Sequence, residues 1–195
     1  MSCDRAKDED LMLRVAGGSR EAMSPLLRRY ASPLLTFIRR MTGDWHRAEE
    51  LFQEAFLAVW QNRRRYEYPR PFRPWLFGIA MNKCRADFRK SAATPACLAD
   101  EPDLPAAAHG RTPVEAAIAS ETALLVTQAV GTLPPGQRTV LVLRVWNGLE
   151  YAEIARILER TEATIRSQMF HALAGMRRYL EPRLRHTGEE CHDQP

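Results

Sequence analysis

Residues 148–180 read GLEYAEIARILERTEATIRSQMFHALAGMRRYL, and this stretch contains two apolar helical patterns separated by a short break. Ile154, Ile157 and Leu158 recur at the spacing of one face of a short first helix. Thr161 is a suitable N-cap for a second helix. The apolar positions of that second helix, which we expect to pack against the first, are Ile165, Met169, Ala172 and Leu173. The pattern predicts a helix-turn-helix.

The second helix of this motif has a polar outer face. Its outward positions in the predicted register are Glu162, Arg166, Gln168 and His171. Arg, Gln and His side chains on such a face can reach base edges in the major groove of DNA. An αα-hairpin with a solvated polar face is the alternative from this segment alone. We favour a DNA-binding interpretation.

Charge is distributed unevenly along the 195 residues, although the net charge is only +4. Residues 1–90 carry +7, residues 91–120 carry −3, residues 121–185 carry +3 and the last ten residues carry −3. Two basic blocks around an acidic stretch predict two domains that face nucleic acid. Ordinary variation of surface charge is the alternative.

The helical periodicity divides the chain in the same places. Residues 8–90 are predicted to form a first helical domain, broken at residues 42–44, where Asp44 is a candidate helix cap. Prolines at 69, 71 and 74 indicate a loop before a last helix over residues 75–90. No strand pattern of alternating β-branched residues occurs. We therefore expect an all-α fold.

The remainder of the chain follows this division. Residues 91–120 lose all periodicity and are rich in Ala, Pro and Asp, which is typical of a flexible linker. Residues 121–185 are predicted to form a second helical domain that contains the helix-turn-helix. Residues 186–195 are expected to be a disordered tail. The fold class is thus two small helical domains joined by a flexible linker.

Several classes of protein are excluded by what the sequence lacks. It contains no apolar run of about 18 residues, so no membrane span is expected. The polar, acidic N-terminus does not resemble a signal peptide. The four cysteines are scattered without CxxC spacing, so we expect neither a disulfide framework nor a zinc finger, and a reducing cytoplasm fits this use of cysteine. No P-loop, HExxH or GxSxG motif occurs. We expect a cytoplasmic protein that is not an enzyme and needs no cofactor.

Aromatic and basic residues alternate between positions 63 and 90. The segment starts with three arginines and continues as YEYPRPFRPWLFGIAMNKCRADFRK. Rings can stack on unpaired bases while Arg and Lys follow the phosphates, as single-stranded DNA requires. Trp60, Trp75 and Phe77 lie on apolar faces and are expected in the core. The rings in the Pro-rich loop, which are better candidates for contact, are Tyr66, Tyr68 and Phe72.

With these motifs in order, the chain resembles the extracytoplasmic-function (group IV) sigma factors of the sigma-70 family. AEELFQEAFLAVW, residues 48–60, resembles the helix of region 2 that binds core RNA polymerase. Residues 73–90 resemble the helix that recognises and melts the promoter −10 element. Residues 133–173 resemble region 4 with its −35 recognition helix. The resemblance covers about residues 9–90 and 121–182 and implies a function in promoter-specific transcription initiation.

The chain departs from the usual family pattern in the helix-turn-helix. Glu159 stands where the turn commonly has Gly, and positive φ is disfavoured for other residues, so we expect a slightly reshaped turn. Gln168 stands where Arg or Lys is common, and Phe170-His171 replaces a usual His-Arg pair. The recognition helix is therefore less basic than is typical, which bears on the −35 sequence it reads.

The resemblance also implies roles for individual residues and partners. The residues expected to face a basic coiled coil of the polymerase β′ subunit are Glu49, Glu50, Gln53 and Glu54; a solvated helix face is the alternative. The residues expected at the −10 DNA are Arg64, Arg65, Tyr66, Tyr68, Phe72, Asn82, Lys83, Arg85 and Arg89. Those expected at the −35 DNA are Arg138, Arg160, Thr164, Arg166, Ser167, Gln168 and His171. The implied partners are core polymerase (β′ coiled coil and β flap), promoter DNA and an anti-sigma factor.

Other functions compete with this interpretation. A conventional helix-turn-helix regulator would bind duplex DNA as a dimer without polymerase. A nucleic-acid-processing enzyme would need a catalytic constellation, and a protein adaptor would not need basic blocks. His186, Cys191 and His192 are metal-capable residues in the tail, but a single cysteine among them is a weak pattern. We predict no metal site.

Overall fold

The computed structural model describes residues 6–92 and 113–189. Within these ranges the ordered elements are helices and no strand occurs, which confirms the predicted all-α fold. The first group of helices is α1 (Asp8–Ala16), α2 (Met23–Thr42), α3 (Trp45–Gln61), a 3-10 turn (Arg63–Arg65) and α4 (Phe72–Ala92). The second group is α5 (Pro113–Thr132), α6 (Pro135–Leu141), a π-helical continuation (Val142–Trp146), α7 (Tyr151–Leu158) and α8 (Glu162–Glu189). None of the described helices is long and apolar enough to span a bilayer.

The predicted break between α2 and α3 is confirmed in its details. Gly43 ends α2 at φ 78°, in the left-handed region that glycine adopts without steric cost. Asp44 then caps α3, because its side-chain oxygen accepts a hydrogen bond from the backbone N–H of Arg47 at 3.0 Å. The two helices can therefore reverse direction within two residues and pack closely.

The start of α4 differs from the sequence-based prediction. The helix begins at Phe72 rather than Trp75, so Pro74 lies in its first turn. Proline is tolerated there because the first backbone N–H groups of a helix have no partner within the helix. The edge-to-face contact of Phe37 and Phe77, with centroids 5.4 Å apart, joins α2 to α4 in the core.

The helix-turn-helix is present as predicted. Thr161 caps α8 by accepting from the backbone N–H of Thr164 at 3.3 Å. Glu159 ends α7 at φ 54° and ψ 48°, and the backbone N–H of Arg160 donates to the carbonyl oxygen of Ala155 at 3.0 Å. The expected reshaping of the turn is therefore wrong: Glu159 adopts the left-handed conformation that glycine would have.

The two groups of helices pack against each other through α2 and α4. Arg138 Nη1 donates to the carbonyl oxygen of Met41 at 3.2 Å, and the Arg40 guanidinium lies 4.4 Å from the centre of the Trp146 ring. Thr139 is buried, with its hydroxyl 3.8 Å from the sulfurs of Met41 and Met81. Burial lowers the pKa of Arg40. One apolar core consequently runs through both groups.

Residues 93–112 of the predicted linker, and residues 190–195 of the tail, lie outside the described residues, as do the side chains of residues 91–92, 113–120 and 185–189. The predicted linker and tail were wrong at their edges, because α4 extends to Ala92, α5 begins at Pro113 and α8 extends to Glu189. The metal hypothesis for His186, Cys191 and His192 falls there too. Within the described parts, no cluster of His, Cys, Asp and Glu is arranged to hold a metal ion.

Candidate nucleic-acid interface

The outer edge of α3 is acidic and exposed. Glu49, Glu50 and Gln53 all lie on the surface, as the helical periodicity of the segment predicts. Leu57 lies one turn beyond Gln53 and is 55% exposed, although the residues on the opposite side of α3 are buried. Sequence reasoning missed Leu57; its spacing of four and eight residues from Gln53 and Glu49 was the available signal. Leu57 thus adds exposed apolar surface to an acidic helix edge.

Two ion pairs join this edge to α4. Arg47 donates from Nη1 to Glu50 and from Nε to Asp87 Oδ1 at 2.7 Å. Lys83 Nζ donates to Glu54 Oε2 at 3.0 Å, and this hydrogen bond is the main cause of the lowered pKa of Glu54. Lys83 was predicted to hold the DNA backbone, but in this arrangement its ammonium group is paired with the α3 carboxylate.

The other predicted positions on α4 form a separate face. Asn82, Arg85 and Arg89 recur at intervals of three and four residues, so they share one side of the helix. Asn82 and Arg89 are exposed and Arg85 is half-buried. Lys83, one residue away from Asn82, points instead toward α3. Three of the four residues predicted on α4 therefore share one accessible side of the helix.

The loop before α4 presents cations and one ring. Arg64, Arg65 and Arg70 are exposed, and Tyr68 is 51% exposed. Just before the loop, the guanidinium of Arg63 lies 4.3 Å from the centre of the Trp60 ring. An exposed tyrosine among arginines is suited to a base that has left its stack.

Two aromatic residues predicted as DNA contacts are buried, and this is a correction. Phe72 is fully buried and Tyr66 is 7% exposed. Both rings belong to an aromatic cluster, with Tyr66 5.2 Å and Phe72 6.1 Å from Trp75 between ring centroids. Burial raises the pKa of Tyr66 to about 12, and its hydroxyl donates to the carbonyl oxygen of Arg70. These rings pack beneath the loop because burial of their apolar surface away from water is favourable.

The outer face of the helix-turn-helix keeps most of its predicted residues on the surface. The exposed ones are Arg160, Thr164, Arg166, Ser167 and His171. Arg166 pairs with Glu162 at 3.3 Å and lies 4.7 Å from the centre of the Tyr151 ring, so its guanidinium is held beside α7. An open groove between α7 and the start of α8 adjoins this face, and Arg156, Arg160 and Thr164 contribute to its lining.

Two positions on α8 differ from prediction. Gln168 is half-buried and lies against Gly136 of α6, where a Cβ would be 3.4 Å from its Nε2 atom, so its side chain does not face outward with His171. Leu173 was expected in the core but is 51% exposed. The apolar stripe on α8 is therefore narrower than the sequence suggests, and its buried members are Ile165, Met169 and Ala172.

Phe170 is the most exposed of the large apolar side chains in the described residues, at 70%. Its ring meets the His171 ring edge-to-face at 5.6 Å. Sequence reasoning noted Phe170 as a departure from the family pattern but did not include it among the DNA contacts. Its spacing of four residues from Arg166 was the available signal. An aromatic side chain on this face can contact a thymine methyl group.

Arg138 does not lie on the outer face of the helix-turn-helix. It was predicted to contact phosphate, but its guanidinium donates to the carbonyl oxygens of Met41, Gly131 and Leu133. Burial lowers its pKa. In this arrangement the residue joins the two groups of helices, and three carbonyl oxygens engage its guanidinium.

Comparison with known proteins agrees with this division of the molecule. Residues 26–94 match the family described as Sigma-70 region 2, and residues 123–176 match Sigma-70, region 4. The ECF RNA polymerase sigma factor SigL of Mycobacterium tuberculosis is 32% identical over 174 residues, which cover 87% of this chain and 97% of the relative. The chain belongs to the ECF sigma factors.

Further relatives support that assignment over nearly the full length. The RNA polymerase sigma-H factor of Pseudomonas aeruginosa is 28% identical over 186 residues, covering 92% of this ECF sigma factor and 96% of the relative. Among solved structures, CnrH in complex with the cytosolic domain of CnrY has a TM-score of 0.68 at 25% identity, covering 90% and 97% of the two chains. RpoE of Bartonella quintana, solved with the anti-sigma factor NepR, has the same fold, with a TM-score of 0.68 at 20% identity over 82% and 96%.

Proposed function

We propose that this sigma factor docks on core RNA polymerase through the exposed edge of α3 and directs it to promoters through two DNA-facing surfaces. The observation that carries the proposal is the separation of these surfaces: an acidic edge with an exposed leucine on α3, and basic faces on the loop, α4 and α8. A regulator that bound duplex DNA alone would have no use for the α3 edge.

The polymerase contact is proposed for Glu49, Glu50, Gln53 and Glu54 together with Leu57. Their carboxylates would complement a basic coiled coil of β′, which would orient and accelerate docking. Leu57 would supply apolar area at the centre of a polar rim, the usual anatomy of such interfaces. Glu54 is half-buried as well as paired with Lys83, whereas Glu50 is exposed although Arg47 pairs with it, so we assign Glu54 the weakest contribution of the four polar residues.

The −10 contact is proposed for the loop and the outer face of α4. Tyr68 would meet a base that has left the duplex, and Arg64 and Arg65 would hold the adjacent phosphates. Asn82, Arg85 and Arg89 would follow the strand along α4. Unstacking a base costs a few kcal/mol, and stacking on a ring returns about 1–3 kcal/mol, so opening would proceed by capture of the opened strand.

The −35 contact is proposed for α8. The side chains assigned to the major groove are Thr164, Arg166, Ser167 and His171, with Arg160 on phosphate. So few cations give a single helix-turn-helix weak binding by itself. Attachment of both DNA-facing surfaces to one polymerase raises their effective concentration. We therefore assign promoter specificity to the holoenzyme, which acts in the bacterial cytoplasm.

Run-off transcription with core polymerase tests the proposal. The template is the region upstream of the chain's own gene, and the variants are Glu49→Lys with Glu50→Lys against the wild type. We expect transcripts that depend on the protein and that the charge reversal removes, while the circular dichroism spectrum stays unchanged. Absence of transcripts and of core binding, with tight duplex binding by the protein alone, would establish the dimeric regulator instead.

An anti-sigma factor is the second proposed partner. CnrH, which is 25% identical to this chain, was solved with the cytosolic domain of a second protein. Co-expression of the chain with the product of the adjacent reading frame tests this partner. We expect a stable complex that blocks run-off transcription; an unchanged transcript yield in the presence of the purified neighbour would reject that candidate.

A further inference from the structure

The first turn of α1 carries three carboxylates, and all three bind other parts of the molecule. Asp8 accepts from Arg29 and from the Tyr30 hydroxyl, both at 2.5 Å. Glu9 and Asp10 instead accept from the segment that precedes and begins α4. Acidic residues in a first turn usually stabilise their own helix. Here they also connect α1 both to α2 and to a loop that lies about 60 positions beyond α1 in the chain.

Asp8 fixes the first turn of α1 on α2. Arg29 makes a second contact beside this turn. Its Nη1 atom also donates to the carbonyl oxygen of Ala6, just before α1, at 2.8 Å. Tyr30 is buried, and burial together with the hydrogen bond to Asp8 raises the pKa of its hydroxyl, which stays a donor at neutral pH. The first turn of α1 is therefore a rigid support.

Glu9 caps α4 from a distance. The backbone N–H of Phe72 is one of the free donors at the start of α4, and it donates to Glu9 Oε1 at 3.2 Å. The residue before it, Pro71, has no side-chain acceptor with which to cap the helix locally. The half-buried carboxylate of Glu9 supplies the missing acceptor and so fixes the point where the loop becomes helix.

Asp10 reaches the exposed ring of the same loop. The Tyr68 hydroxyl donates to Asp10 Oδ1 at 3.3 Å. Carboxylates are unfavourable beside DNA phosphates, so attraction for the nucleic acid does not account for two of them at the edge of an arginine-rich loop. The hydrogen bonds that they accept from the loop do account for their position.

We propose that Glu9 and Asp10 are positioning residues for strand capture: they hold the start of α4 and the Tyr68 ring in the geometry that receives the flipped base. The inference rests on the proposed −10 role of the loop. With the support removed, the loop samples other conformations before DNA arrives, so capture slows and discriminates less between bases. Loss of a helix cap or of one side-chain hydrogen bond accounts for about a three- to tenfold effect.

The test uses the holoenzyme and a fork-junction DNA derived from a promoter mapped by run-off transcription with the wild-type protein. A 2-aminopurine beside the captured base reports the rate of capture, measured for the native base and for each substituted base. Glu9→Ala removes the acceptor, whereas Glu9→Gln removes the charge and keeps an acceptor oxygen. Asp10→Ala and Asp10→Asn form the same pair at the exposed residue. Glu21→Ala is the matched control, since Glu21 is an exposed acid near α1.

We expect Glu9→Ala to slow capture about fivefold and to reduce base selectivity, with Asp10→Ala smaller in effect, while core affinity stays unchanged. Glu9→Gln and Asp10→Asn retain both rate and selectivity, which a purely electrostatic role would not allow. If circular dichroism shows that Glu9→Ala does not fold, the comparison of Asp10→Ala with Asp10→Asn tests the positioning role instead. The positioning role is overturned if the capture rate and the base selectivity are the same for Glu9→Ala, Asp10→Ala and Glu21→Ala. That result would leave the sigma function intact. Absence of protein-dependent transcripts with the wild type overturns both.

Discussion

Arg138 Nη1 donates to the carbonyl oxygen of Met41 at 3.2 Å across 97 positions of sequence. The bond joins the helix group that matches region 2 to the group that matches region 4. The same guanidinium also donates to the carbonyl oxygens of Gly131 and Leu133, so it forms a half-buried polar junction at the end of α5. Loss of this charged donor removes hydrogen bonds to the part-buried carbonyl oxygens of Met41 and Leu133, which costs at most about 1–3 kcal/mol.

Arg138→Ala is therefore expected to loosen the contact between the two groups of helices in the free protein. The radius of gyration from small-angle X-ray scattering should rise, while the helical circular dichroism signal stays constant. Arg28→Ala, at an exposed position of α2, is the control and should leave the scattering unchanged. Identical scattering profiles for the wild type and Arg138→Ala would show that other contacts, such as Arg40 on Trp146, hold the arrangement.

Leu57→Asp is expected to lower the affinity for core polymerase at least tenfold, because the apolar area that Leu57 would bury is lost and a charged group must be desolvated in its place. The measurement is fluorescence anisotropy of labelled sigma factor titrated with core enzyme. Leu13→Asp is the matched control, since Leu13 is 49% exposed on α1 and lies outside the proposed interface. Equal losses for the two variants would remove Leu57 from the interface.

Local sequence signals predicted much of this fold. The Asp44 and Thr161 caps and the break at residues 42–44 follow from short-range chemistry and are confirmed. The missed start of α4 has a long-range cause. Pro71 offers no acceptor, and Glu9, 63 positions away, supplies it.

The candidate site was harder to predict than the helices. Periodicity distinguishes the two sides of a helix, and it correctly placed the acidic edge of α3 on the surface. Periodicity does not show whether an aromatic ring in a loop is buried. Tyr66 and Phe72 are buried because their rings pack against Trp75 and Tyr30. The pairing of Lys83 with Glu54 likewise depends on how α3 packs on α4, which no local pattern encodes.

Glu159→Gly is expected to stabilise the protein by about 0.5–1 kcal/mol. Glu159 has φ 54°, which costs a residue with a side chain about 1–2 kcal/mol, and glycine avoids this cost while losing some entropy on folding. Urea unfolding followed by circular dichroism measures the change. Arg156→Gly, inside α7, should instead destabilise by about 1 kcal/mol. Destabilisation by both substitutions would mean that the Glu159 side chain contributes a contact that outweighs its backbone strain.

The free energy of unfolding is expected to fall at alkaline pH through Cys84. Burial raises the pKa of this thiol from 9.0 to about 12. The unfolded chain therefore loses the thiol proton first, and stability that is complete below pH 9 declines as the pH approaches 12. The slope from one proton is about 1.4 kcal/mol per pH unit. Because Lys and Tyr also titrate here, the quantity to measure is the difference between wild type and Cys84→Ala in urea unfolding from pH 8 to 11. Parallel curves would contradict the assignment.

Phe170→Ala is expected to weaken recognition of the −35 element without affecting strand capture. The exposed ring lies on the same face of α8 as Arg166 and Ser167, and loss of an apolar contact with a thymine methyl costs about 1–2 kcal/mol, or roughly five- to thirtyfold in affinity. Run-off transcription by the holoenzyme measures −35 recognition on two templates. One is a promoter with its −35 element intact, and the other has that element scrambled. The substitution should reduce transcription from the complete template and have little effect on the scrambled one. Leu173→Ala, also an exposed apolar residue of α8, is the control for general loss of surface area. An equal loss on both templates would place Phe170 outside DNA recognition, at a contact that every promoter shares.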